Sequence, residues 1–169
     1  MFEEKEKFRI PTLIEMEVAV SNLYDVRKYI IVPNISWGLG VHECDLLILN
    51  QNNNAIEVEI KRSKADLKKD IDKKHLHKSK LIKYLYFAIP EQLIESVNLI
   101  PDHAGIIIVT GFRYKPNFKL GYKATISRKA KINPEHRSLS VAEVLNFSRL
   151  GCMRIWNLKK KIISLQNQT

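Results

Sequence analysis

Between Ala55 and Lys61 the chain reads AIEVEIK, and this alternation limits the fold more than any other stretch. A strand sends successive side chains to opposite faces, so Ile56, Val58 and Ile60 point one way while Glu57, Glu59 and Lys61 point the other. Upstream, Asp45-Leu46-Leu47-Ile48-Leu49 reads as a second strand, and Gln51 to Asn54 is an asparagine-rich turn that closes a hairpin between the two. Folding that hairpin brings Asp45 towards Glu59 and Lys61. Downstream, Ser63-Lys64-Ala65-Asp66 has the pattern of a capping box, so a helix is expected to open there.

Carboxylates and an ammonium gathered at one strand end suit hydrolysis of a phosphodiester with a divalent ion. Mg2+, or Mn2+ in its place, is hard, takes oxygen ligands, and is commonly held by one or two carboxylates together with water and phosphate oxygens. Asp45 and Glu59 supply the carboxylates. Lys61, two residues after Glu59 on the same strand face, is placed to hold the attacking water or to stabilise charge growing on the phosphorane oxygens. The alternative is a solvated strand face on which Glu57, Glu59 and Lys61 pair with neighbours across the sheet, because a bare Glu-X-Lys recurs by chance.

The charge of the chain bears on the partner. A formal charge of +10 and a pI near 9.6 favour a polyanion, most simply nucleic acid. From Lys61 to Lys83 ten basic residues stand against three acidic ones, directly after the candidate strand. Within that segment Arg62, Lys64, Lys68, Lys69, Lys73 and Lys74 are the candidate phosphate contacts, since lysines are point charges with little base-reading geometry. Asp70 and Lys74, four apart, suit an intrahelical pair. A second basic tract from Arg113 to Arg137 interleaves Tyr114, Phe118 and Tyr122, which can hold unpaired bases, but Gly121 to Ile126 alternates like an edge strand.

Elsewhere the chain alternates strands and helices. Pro11 to Arg27 reads as a helix with Leu13, Ile14, Val20, Leu23 and Tyr24 as its apolar stripe and Glu17 lying within it. An inward acid is costly unless paired or bound. Tyr29 to Val32 is a strand stopped by Pro33, and the Trp37 loop after it either packs or stacks on a base. Tyr84 to Ile89 is a strand ended by Pro90, Glu91 to Val97 a short helix, and Ala104 to Thr110 an apolar strand suited to a sheet covered on both faces. Ser140-Val141-Ala142-Glu143 opens a helix running to about Trp156 that packs on the core, and the tail SLQNQT is expected to fray. Cys44 and Cys152 support neither a disulfide framework nor a zinc knuckle. His42, His75, His77, His103 and His136 lack the i, i+4 spacing of a helical metal pair, and His75 and His77 read as solvent or phosphate contacts. The N-terminal MFEEKEKFRI has the make-up of neither a signal nor a transit peptide, and the apolar runs are too short to cross a bilayer, so a cytoplasmic protein without membrane contact is expected.

Asp45, then Glu59-Ile60-Lys61 after a hairpin, resembles the core of the PD-(D/E)XK nuclease superfamily. More narrowly, EVEIKRSKADLKKD, YLYFAIPEQL and IPDHAGIIIV in that order resemble the MmcB-like DNA repair proteins, over about Leu13 to Val109. One departure is Cys44, which stands where the superfamily has a proline that ligates nothing. The resemblance implies a restriction-endonuclease-like αβββαβ core, with Mg2+ on Asp45, Glu59 and the Ile60 carbonyl. It also implies an acid brought to the metal by the first helix, for which Glu17 is the choice and Glu15, on the opposite side, the alternative. The expected protein is a single α/β domain over residues 1–169, a central mixed sheet flanked by helices, with its core at about 11–110 and a basic strand and helix at 111–165. Its expected function is metal-dependent hydrolysis of DNA in repair. The alternative is a catalytically inactive nucleic-acid-binding accessory protein on the same fold, and a homodimer is compatible with either.

Overall fold

The computed structural model describes residues 8–36, 40–71, 79–115 and 117–167, without the side chains at 70 and 71. Trp37, Lys73, Lys74, His75 and His77, and with them the Asp70–Lys74 pairing, lie outside the described residues.

Six strands form one sheet in sequence order: β1 (Ile30–Ile35), β2 (Cys44–Leu49), β3 (Ala55–Ile60), β4 (Ile82–Pro90), β5 (Gly105–Tyr114) and β6 (Lys119–Arg128). β1, β2 and β3 run antiparallel, β3, β4 and β5 parallel, and β6 returns antiparallel to β5. The sheet is therefore mixed, as its sequence implies. Parallel neighbours need crossovers. These are α2 (Lys64–Ile71) between β3 and β4, and a 3-10 helix, Glu91–Leu99, between β4 and β5.

Helices cover both faces. Ahead of β1, α1 (Leu13–Tyr24) lays Met16, Ala19, Val20 and Tyr24 on Ile48, Val58, Ala88 and Ile107. On the other face α3 (Val141–Gln166) sets Phe147 and Leu150 against Val32, Leu47 and Leu49, while Leu67 of α2 packs with Leu85, Phe87 and Ile89.

Four expectations change in detail. α1 begins after Thr12, whose hydroxyl accepts from Glu15 N while Glu15 accepts from Thr12 N, a reciprocal cap that overrides Pro11 as the start. Its buried stripe is Met16, Val20 and Tyr24, one turn apart, and Ile14 is left 69% exposed. β1 runs through Pro33 because it is an edge strand, where a missing N–H costs no ladder bond. α3 continues past Trp156 through the first residues of the SLQNQT tail to Gln166, and only its first part packs on the core, leaving Ile155, Trp156, Leu158 and Ile162 exposed. Among the described residues no helix is long and apolar enough to cross a membrane.

Candidate active site at the ends of β2 and β3

Because helices close over both faces of the sheet, the polar side of β3 is as dry as its apolar side. Glu57 is 0%, Glu59 2% and Lys61 7% exposed, which removes the reading of a solvated strand face. Charges out of water need partners. Lys61 Nζ donates to Glu59 Oε2 at 2.6 Å, and His42 Nε2 is hydrogen-bonded to Glu57 Oε1 at 2.8 Å. Two hydrogen-bonded couples, one of them an ion pair, thus lie one pleat apart along one strand face.

The β2–β3 ladder ends at Leu46 opposite Val58, and one further step of that register sets Asp45 across from Glu59. There the Asp45 side chain takes over from the ladder: its Oδ2 accepts from Ile60 N at 2.7 Å. On the opposite side of the strand, Lys61 N donates to Ala88 O of β4 at 2.9 Å. The end of β3 is therefore held from both sides, by a carboxylate on one and a carbonyl on the other.

Glu17 reaches the same place from α1. Burial raises its carboxyl above the ordinary range, the negative charge of Asp45 raises it further, and Asn34 Nδ2, 3.5 Å from Glu17 Oε1, works against both. Asn34 itself has a left-handed backbone, with φ of 55°, and its carbonyl accepts from Arg154 of α3. Glu15 is occupied elsewhere: bidentate hydrogen bonds from Arg9 hold its carboxyl down at about 2, with Thr12 adding to the effect. Cys44 is buried, and burial drives its thiol upward, reinforced by Glu57, Glu59, Asp45 and Glu43.

The basic residues divide by role. Arg62 Nε donates to Pro11 O at 2.8 Å and so ties the start of α1 to the end of β3. Lys64, Lys68 and Lys69 are exposed on α2, which turns Leu67 inward. Ser63 caps that helix by accepting from Asp66 N. The histidine that sequence reasoning passed over is His42: its partner lies fifteen residues away, and no spacing rule links a loop imidazole to a strand carboxylate.

Among the described residues no three His, Cys, Asp or Glu side chains form a group that could hold a metal ion by themselves. A hard divalent ion asks for less, one or two carboxylates with water and phosphate oxygens. Asp45, Glu59 and Glu17 are hard oxygen donors, and burial first and the charge of Asp45 second disfavour an ionised Glu17, both of which a bound cation offsets. The residues present fit such an ion.

A family model described as DNA repair protein MmcB-like matches residues 8–162. The chain belongs to the MmcB-like DNA repair family. With that membership comes a role in DNA repair, and the Glu57–Lys61 strand, the α2 cap and β5 all fall inside the matched span. No curated protein matches the chain. Among solved structures, the SPO1766 protein of unknown function from Silicibacter pomeroyi superposes with a TM-score of 0.62 at 18% identity, covering 86% of this chain and 90% of that one. At that identity the likeness concerns the fold alone.

Proposed function

We propose that this MmcB-like protein is a metal-dependent nuclease of the PD-(D/E)XK type that hydrolyses phosphodiester bonds of DNA during repair. The observation that supports it most is the pairing of a buried lysine with Glu59 two residues earlier, at a strand end that Asp45 grips through its side chain. In this reading Asp45 and Glu59 hold Mg2+ or Mn2+ with the Ile60 carbonyl, and Glu17 adds a further carboxylate beside Asp45. The ion, when bound, supplies Lewis acidity at the phosphoryl oxygen and lowers the pKa of water. Lys61 Nζ, held by its hydrogen bond to Glu59, orients the attacking water or meets the developing charge. Helices over both faces limit water around this pair, which strengthens each electrostatic contact. Lys64, Lys68 and Lys69 on α2 supply phosphate contacts that align the strand without reading its bases.

A second reading follows from the same contacts. Asp45 Oδ2 and Glu59 Oε2 already accept from Ile60 N and Lys61 Nζ, so these residues also serve as structural ties, as they would in a protein that binds DNA without cutting it. Purified protein is incubated with labelled single-stranded, duplex and branched DNA and RNA, with Mn2+, Mg2+ or EDTA, beside Asp45→Asn and Glu17→Gln variants. The nuclease reading expects metal-dependent cleavage that Asp45→Asn abolishes, together with a metal-induced rise in Tm that the variant lacks. Binding without cleavage, and no shift with metal, establishes the accessory role instead.

A further inference from the structure

At the other end of the parallel strands from Glu59 and Lys61 lies a cavity of about 510 Å3 with Ile82 and Leu85 in its lining. Its lining comes no nearer along β4 than Leu85, two residues or roughly 7 Å from Phe87, whose ring faces Lys61, and it includes none of Glu17, Asp45, Glu59 or Lys61. The cavity is therefore not part of the site described above.

Its outer wall is a strap without regular secondary structure, Lys129 to Leu139, joining β6 to α3. A connection of this kind is normally mobile, but this one is pinned along its length. Lys131 N donates to His103 O at 2.8 Å, Asn133 N to Lys83 O at 3.0 Å, Arg137 N to Lys80 O at 2.7 Å and Leu139 N to Asn53 O at 2.8 Å. Asn133 Nδ2 adds bonds to Ser79 O at 3.0 Å and Ile82 O at 2.9 Å. These hydrogen bonds hold the wall in place, yet a space of ligand size stays between it and the sheet, within the several hundred Å3 typical of small-molecule pockets.

The lining has two characters. Ile82 and Leu85 form an apolar base, and Ile132, 55% exposed, with Pro134 continues it on the strap. Around it stand Lys80, Lys83 and Lys131 with His103, against the single acid Glu135. A flat apolar body with an anionic end matches that division: aliphatic contact for a base, ammonium groups for a phosphate.

We propose that this cavity binds a nucleotide, with its base against Ile82, Leu85 and Ile132 and its phosphate among Lys80, Lys83 and Lys131. The shared chemistry belongs both to a free mononucleotide and to an unpaired nucleotide within a strand, and the proposal does not depend on the nuclease reading. Calorimetric titration of the full chain with dAMP, deoxyadenosine, inorganic phosphate, a dA6 oligonucleotide and a blunt duplex tests it. Lys83→Ala/Lys131→Ala is compared with Lys160→Ala/Lys161→Ala, exposed on α3, both first shown to melt like the parent.

The expected result is saturable binding of dAMP or the oligonucleotide that weakens roughly tenfold or more in the strap-side variant and holds in the α3 variant. Tighter binding of the oligonucleotide than of dAMP at the same lysines assigns the cavity to a DNA strand, and the reverse order to free nucleotide. Phosphate binding as tightly as dAMP, equal weakening in both variants, or no saturable binding of either nucleotide ligand overturns the proposal. Cleavage is not read, so failure here leaves the nuclease reading untouched.

Discussion

Lys61 and Glu59 make a charged contact of 2.6 Å at positions almost without solvent, so each compensates for the other's burial. Removing one partner of such a pair costs more than removing both. Lys61→Ala is expected to lower unfolding free energy by about 3–5 kcal/mol in chemical denaturation, and Glu59→Gln/Lys61→Met to recover most of that loss. A double variant as unstable as the single one would show that the pair does not carry this stability. For the same reason a dead Lys61→Ala protein says little about chemistry until its fold has been checked, which makes Asp45 and Glu17 the cleaner probes. Glu17 also has a readable pH signature. Its folded carboxyl is raised above the ordinary 4.5, so ionisation opposes folding: the penalty is absent below about 4.5 and develops as pH rises through the folded value. In EDTA at neutral pH and above, Glu17→Gln is expected to melt higher than the parent, with the gap closing in acid. Equal melting across that range would mean that neither burial nor Asp45 opposes the ionised Glu17. Glu17 stood out in the sequence because it lies within an apolar stripe, but its proximity to Asp45 follows only from the fold. Asn34, which hydrogen-bonds Glu17 from a left-handed turn in β1, carried no local signal.

At the scale of elements, α1 and α3 open on the same device. Thr12 with Glu15, and Ser140 with Glu143, each form a complete capping box, and each glutamate is also gripped by an arginine, Arg9 or Arg137. Those hydrogen bonds bring both carboxyls down to about 2 from an ordinary 4.5. A depressed carboxylate pKa contributes stability that is present above 4.5 and is lost as pH falls towards 2. Glu15→Gln/Glu143→Gln should therefore flatten the fall of Tm between those values. A parent and variant that lose stability in parallel would show the caps to be too exposed to matter. Ser140-Val141-Ala142-Glu143 was readable because nothing competes with it. Thr12-Leu13-Ile14-Glu15 was masked by Pro11, an equally good start signal one residue earlier. The apolar stripe of α1 was misread for a related reason: Leu13 and Ile14 are as apolar as Met16 and Ala19, and only the sheet beneath decides which pair turns inward.

For the whole molecule the charge is +10, and α2, which follows β3 in the chain, exposes Lys64, Lys68 and Lys69. DNA binding by such a surface should weaken steeply with salt through counterion release. Replacing Lys68 and Lys69 with Ala is expected to reduce the slope of log K against log salt by up to about 0.9 for each duplex phosphate that is no longer neutralised. Fluorescence anisotropy over a salt series measures it, and an unchanged slope would move the DNA to another face.

By itself the sequence determined the elements whose signal lies within a few residues: the AIEVEIK strand, the Asn-rich hairpin before it, the helix starting after Ser63, and the edge strand at Gly121. Periodicity and turn chemistry act over one element and need no partner. Tertiary structure alone decided that Glu57, Glu59 and Lys61 are dry, that His42 meets Glu57, that Glu17 rather than Glu15 faces Asp45, and that a pinned strap leaves a cavity beside β4. Each of these depends on how helices and loops distant in the chain close over the sheet. That packing sets which charges leave water and which of them must then find each other.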